Sequence, residues 1–170
     1  MIYQNVTQNM YNTDVLSNLA CLDIEATGLY TSESRITEIG LILIDQGQVV
    51  RRWQHLVNPQ TQIPQPVQAL TRITMEMVQD APVFADLAQD LAHLLKGRVL
   101  VAHNARFDYG YLYHEFARLG YRYHTETLCT LRLSRKLYPK FRHHSLEHLI
   151  RRHHLRRQAR HRALGDALTL

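Results

Sequence analysis

The sequence predicts an α/β fold: a central mixed five-stranded sheet flanked by helices. Three observations point to it. Two apolar strands are joined by a tight turn, as in an antiparallel pair. A later four-residue run, Val99-Leu100-Val101-Ala102, is wholly apolar, as in a central strand covered on both faces. Between and after these come segments with helical spacing, so strands come first and helices then alternate with strands.

The elements follow in order. Residues 1–18 are polar, rich in Asn and Gln, and read as a loosely ordered leader before a domain at 19–170. Leu19–Ile24 (LACLDI) reads as a buried strand. Gly28 and the polar run Tyr30–Arg35 make a loop. Residues 36–45 form a second strand, and Asp45-Gln46-Gly47 turns into a third, QVVRRWQHLV. Asn58–Pro66 holds three prolines and reads as a loop. Val83–Leu95 carries Phe84, Leu87, Ala88, Leu91, Leu94 and Leu95 at helical spacing, with Gly97 as its stop. Asn104 is placed to cap a helix over Ala105–Leu119, which Gly120 ends. Glu126–Cys129 is a fifth strand, and Thr130–Tyr138, Ser145–His153 and Ala163–Leu170 read as helices. The last of these stops without a cap or polar tail, as a chain cut within a longer protein would.

A chain of 170 residues is one domain's worth and can build a core without staples. No apolar run is long enough to span a bilayer, and the N-terminus lacks the basic and apolar regions of a secretory signal. Cys21 and Cys129 are too few for a disulfide scaffold or a zinc finger. The expectation is a cytoplasmic protein with no membrane partner. The net charge of +5 is unevenly placed. Residues 132–170 hold eleven Lys/Arg against two acids, and the first 131 hold nine against thirteen. Arg outnumbers Lys 17 to 3, and guanidinium binds phosphate in a planar fork, so a polyanionic partner and a solvated basic face are both open readings.

Three clusters carry chemistry. Asp23 and Glu25 lie two apart at the end of the first strand and therefore on one face. Taken alone they read as two solvated acids where the strand meets its loop. Asp108 falls within the apolar stripe Ala105, Tyr109, Leu112, Phe116, Leu119. An inward carboxylate in a first helical turn needs a positive partner, from the helix N-terminus, Asn104, Arg106 or a metal. His161 and Asp166 are five residues apart, about 140° around one helix, so the histidine is expected on a loop before the helix that carries Asp166.

Together the clusters resemble the histidine-containing branch of the DEDD 3′–5′ exonucleases. This is the DnaQ-like family, which includes the proofreading epsilon subunit of bacterial DNA polymerase III. The first motif reads Leu22-Asp23-Ile24-Glu25-Ala26-Thr27-Gly28-Leu29, the second Val101-Ala102-His103-Asn104-Ala105-Arg106-Phe107-Asp108, and the third is His161 five before Asp166. The segment NPQTQIPQPVQALTRIT with Ala81-Pro82-Val83-Phe84 is also similar to the family's linker. Three motifs in order and at compatible spacing make the resemblance specific from Leu19 onward. Two departures stand out: Ala26 where Thr is common, and Thr71-Arg72-Ile73 where members often carry His-Gly-Ile.

The resemblance implies a ribonuclease H-like fold and a metal-dependent hydrolase that releases nucleoside 5′-monophosphates from DNA 3′ ends, in proofreading or repair. It implies two divalent cations, Mg²⁺ or Mn²⁺, held by Asp23, Glu25, Asp108 and Asp166, with His161 as general base. Thr27, Gly28 and Leu29 are expected beside the terminal nucleotide, their backbone N–H groups facing it. His103, Asn104 and Phe107 are further candidates for substrate contact. Arg156 and Arg157, in the basic run leading to His161, are expected to track phosphates. The implied partners are single-stranded DNA 3′ ends and a DNA polymerase. Three alternatives stand beside this: an exoribonuclease, an exonuclease domain fused to a second nuclease, and a non-catalytic nucleic-acid-binding accessory module.

Overall fold

The structure, a computed structural model, describes residues 17–155 and 162–170. His161, Arg156, Arg157 and residues 1–16 of the expected leader lie outside the described residues.

Strands β1 (Asn18–Ala26), β2 (Ile36–Asp45) and β3 (Gln48–Leu56) form an antiparallel meander. The β2–β3 turn places Gln46 and Gly47 both at positive φ, 50° and 77°. Two left-handed residues match the right-handed twist of the flanking strands. β4 (Val99–Ala102) lies parallel to β1, and β5 (Thr127–Cys129) parallel to β4. The sheet order is β3-β2-β1-β4-β5, so the expected mixed five-stranded sheet is present. β1 is central, which is why its Ala20 and Leu22 have no exposed surface.

The helices are α1 (Gln65–Thr71), α2 (Met75–Val78), α3 (Phe84–Leu95), α4 (Arg106–Arg118), α5 (Thr130–Leu137), α6 (Leu146–Arg152) and α7 (Ala163–Ala167). α3 and α4 cover one sheet face, where Leu87, Leu91 and Leu94 of α3 and Leu112 and Phe116 of α4 join Leu22, Ile39 and Leu41 in one core. Each fully buried Leu here contributes about 2 kcal/mol through burial. α7 covers part of the opposite face, where Ala167 and Leu164 meet Cys21, Ile42 and Val101. A small separate cluster of Ile63, Ile73 and Val78 holds α1 and α2.

Four local expectations are corrected. β1 begins at Asn18, so the last residue of the expected leader is a strand residue. Pro66 is not loop but part of α1, in the first turn, where its missing N–H leaves no intrahelical bond unmade. Asn104 does not cap α4 with its side chain. It takes a left-handed φ of 73°, its carbonyl accepts from the Phe107 N–H at 2.9 Å, and the helix begins two residues later. The last helix ends at Ala167, not Leu170.

Candidate active site

The site is built at the carboxyl end of β1. Side chains two apart on a strand share a face, so Asp23 and Glu25 project together, on the same face as Cys21. α7 packs over that face and adds Asp166. Carboxylate oxygens of Asp23, Glu25 and Asp166 all lie within 4.8 Å of one another. α4 approaches from the end of β4 and delivers Asp108, which is buried and accepts a hydrogen bond from the Ile24 N–H at 3.1 Å. The Asp108 carboxylate is thereby tied to the residue between Asp23 and Glu25.

The electrostatics follow from this crowding. Burial first, and then the charge of Asp108, Glu25, Asp166 and Glu38, pushes Asp23 well above the usual carboxylate range. Glu25 is pushed up to about 7 by burial and by Asp166, Glu38 and Asp108, while Arg162 pulls it down. Burial pushes Asp108 to about 7 against the opposing pull of backbone hydrogen bonds, including that from Ile24. Several carboxylates that resist ionising together fit a hard divalent cation, which prefers oxygen ligands and offsets their repulsion.

The loop after β1 is held by side chains that the sequence did not single out. The Tyr111 hydroxyl of α4 donates to the Gly28 carbonyl. Arg35 Nε donates to Glu115 Oε1 at 2.8 Å, and Arg118 Nη2 to the Ser32 carbonyl at 2.7 Å. Glu115 is buried although charged, which its two arginine partners explain. Thr27 differs from expectation. Its N–H donates to the Arg35 carbonyl and its Oγ1 accepts from the Arg35 N–H, so both groups close the loop and its N–H does not face a nucleotide. Leu29 stands at the loop tip, 77% exposed. Phe107 is 38% exposed and so is free to meet a ligand.

His103 lies at the end of β4. The Thr130 hydroxyl lies within hydrogen-bond distance of both the Ala102 carbonyl, at 3.4 Å, and His103 Nδ1, at 3.0 Å. The ring's Nε2 is buried and without a hydrogen-bond partner among the described residues. Burial is the main influence on this imidazole and pushes its pKa down, so it is held neutral, against a weaker backbone contact from His144.

Residues 20–170 match the family described as Exonuclease (RNase_T). The chain belongs to this exonuclease family. The DnaQ-like resemblance, the expected sheet and the expected enzyme class are all met. The exonuclease domain is 34% identical over 166 residues to the PolC-type DNA polymerase III of Oceanobacillus iheyensis, covering 97% of this chain and 11% of that protein. It is 34% identical over 148 residues to the 3′-5′ exonuclease DinG of Bacillus subtilis, covering 86% and 16%. The chain thus spans between about a tenth and a sixth of the length of these curated relatives. Among solved structures it resembles Exonuclease X in complex with 5′ overhanging duplex DNA, at 31% identity and a TM-score of 0.73, covering 89% of this chain and 85% of that one. E. coli Exonuclease I bound to a dA16 oligonucleotide shares the fold at 18% identity, with a TM-score of 0.78 over 90% of this chain and 39% of that one. Among the described residues, no helix is long and apolar enough to cross a membrane.

Proposed function

We propose that this exonuclease domain hydrolyses the terminal phosphodiester bond at the 3′ end of DNA, releasing nucleoside 5′-monophosphates, as the proofreading or repair module of a larger cytoplasmic protein. One observation carries the reading: the convergence of Asp23, Glu25 and Asp166 within 4.8 Å, with Asp108 tied to the same strand through Ile24. Its similarity to PolC-type polymerase III, to the exonuclease DinG and to Exonuclease X with duplex DNA supports DNA as substrate, with a polymerase as the nearest kind of partner.

In this reading Asp23, Glu25 and Asp166, with Asp108, hold divalent metal, Mg²⁺ or Mn²⁺ and two ions in number. When bound, metal supplies Lewis-acid polarisation of the phosphate and lowers the pKa of a nucleophilic water. The protein's own residues do the remainder. Glu25 and Asp166 orient the attacking water in line with the bond to be broken. His161, one residue before the Arg162 that Glu38 holds, takes the water's proton as general base. Gly28 and Leu29 lie against the terminal nucleotide on the loop that Tyr111 and Glu115 brace. Phe107, Asn104 and the neutral His103 line the second side of the strand. Arg156 and Arg157 bind phosphates further along it.

The deciding experiment incubates purified protein with matched 3′-labelled DNA and RNA oligomers and Mg²⁺ or Mn²⁺. Mononucleotide release from DNA, absent in Asp23→Ala, is expected. Stable full-length DNA would overturn the reading, and degradation of RNA alone would replace it with an exoribonuclease.

A further inference from the structure

Glu38 is a charged side chain with no exposed surface, near the start of β2. Its carboxylate is fully engaged. Oε1 accepts from Gln54 Nε2 at 2.7 Å and from Arg162 Nη2 at 2.7 Å. Oε2 accepts from Arg162 Nε at 3.1 Å and from the Ala163 N–H at 3.0 Å. Arg162 and Ala163 are the residues at which α7 begins, more than 120 residues further along the chain. Glu38 therefore does for α7 what an N-cap side chain does, but from the strand on which the helix packs.

The register shows what this arrangement serves. Glu38 pairs with Glu25 across β1–β2, and Gly40 pairs with Asp23. A Cβ on Gly40 would lie 2.2 Å from the Ala163 carbonyl carbon and the Leu164 nitrogen, so only glycine lets the α7 backbone lie this close to the sheet. Helix α7 has five residues, too few to hold a helical register alone. Its position is set by what it touches. An apolar contact would bury it equally well, whereas a two-pronged guanidinium–carboxylate pair fixes both distance and rotation. Asp166 is three residues beyond Ala163, less than one turn from the anchor.

We infer that Glu38 and Arg162 are positioning residues that lock α7 over Gly40, so that Asp166 meets Asp23 and Glu25 in the arrangement that binds metal. The effect on turnover rests on the exonuclease reading above; the effect on α7 does not. Arg162 has a second effect in the same place, since its positive charge offsets the facing carboxylates of Glu25 and Glu38, which sit directly opposite on neighbouring strands.

The test compares wild type with Glu38→Gln and Arg162→Lys by three readouts. These are amide hydrogen exchange of residues 163–167 in metal-free protein, Mn²⁺ affinity by calorimetry, and steady-state cleavage of a 3′-labelled oligonucleotide. Glu38→Gln is expected to lower protection of residues 163–167 by about tenfold while β1 and β2 keep theirs within about twofold. Mn²⁺ affinity and kcat are expected to fall by about 10–100-fold, with KM within about twofold of wild type. Arg162→Lys keeps the charge but not the fork, so it falls between, and it serves as the folded variant if Glu38→Gln does not fold. Unchanged exchange at 163–167 with unchanged Mn²⁺ affinity would overturn the inference. So would a loss of protection spread evenly over the chain, which is what a merely structural ion pair produces. If wild type cleaves neither DNA nor RNA, the exonuclease reading fails, while the exchange and Mn²⁺ arms still decide the positioning role.

Discussion

The Ile24 N–H donates to Oδ1 of Asp108 at 3.1 Å, joining residues 84 apart in the chain. The bond couples the central strand to helix α4 at the point where the carboxylates meet. It also separates two roles of Asp108 that substitution can test. Asparagine keeps an oxygen for the Ile24 N–H and removes the charge. Asp108→Asn is therefore expected to stay folded, to melt higher than wild type in EDTA at pH 8, and to lose at least about 100-fold in nuclease activity. Asp108→Ala leaves a buried N–H without its acceptor and is expected to lose about 1–3 kcal/mol of stability as well. Melting curves and a 3′-end release assay on the two variants check this. Equal melting temperatures for the two would show that the bond contributes nothing.

The crowded carboxylates set a pH dependence. Folding raises Glu25 and Asp108 from their ordinary values of 4.5 and 3.8 to about 7. A raised carboxyl binds its proton more tightly in the folded state, so the stabilisation is full below the ordinary values and is lost as pH climbs to about 7. Metal-free protein is expected to be less stable at pH 8 than at pH 5, by on the order of 1–3 kcal/mol. Millimolar Mg²⁺ or Mn²⁺ is expected to raise the melting temperature at pH 8 and to do little at pH 5. Thermal melts across pH 5–8, with EDTA or metal, measure both. A metal-induced shift of the same size at both pH values would contradict the assignment of these acids as ligands.

Tyr111 braces the Gly28 carbonyl from helix α4. Removing the hydroxyl frees one anchor of the loop without opening a cavity. Tyr111→Phe is expected to cost about 1 kcal/mol and to raise KM for an oligonucleotide several-fold, with kcat less affected. Urea unfolding and steady-state kinetics test this, and an unchanged KM would mean that the loop's position does not govern substrate binding.

Arg72 ends α1 in a left-handed conformation, with φ 61°. The sequence resemblance has glycine at this position in many members, and the backbone explains why, since glycine alone adopts positive φ without strain. Arg72→Gly is expected to stabilise the domain by about 0.5–1 kcal/mol and to leave cleavage unchanged. A lower melting temperature would show that the arginine side chain stabilises the fold by more than its strain costs.

These residues also mark where sequence reading ends. The hairpin, the central strand β4 and the α3 stripe were legible because strand alternation and helical spacing are local signals. Asp23, Glu25 and Asp108 were legible because motif spacing and the position of Asp108 in an apolar stripe both set them apart. Glu38 was not. Within ITEIGLILI it stands beside Thr37 in an otherwise apolar strand, and its partner Arg162 is 124 residues away. The bracing roles of Tyr111 and Glu115 are hidden for the same reason, since their partners Gly28 and Arg35 lie more than 75 residues upstream. At Asn104 the sequence alone suggests a side-chain cap and the structure has a left-handed turn, because asparagine favours both and only the backbone distinguishes them.

Gly40 has a consequence for the order in which the molecule is made. Its bare surface is reserved for a helix encoded more than 120 residues later, so the face of β1 that bears Asp23 and Glu25 stays uncovered there through most of synthesis. A nascent chain can pair its first three strands, and later add β4 and Asp108, while the carboxylate cluster remains unfinished. Asp166 joins it only after a further 126 residues beyond Gly40 have been made. In this architecture Asp23 and Glu25 meet Asp166 only after every strand of the sheet and helix α4 have been made.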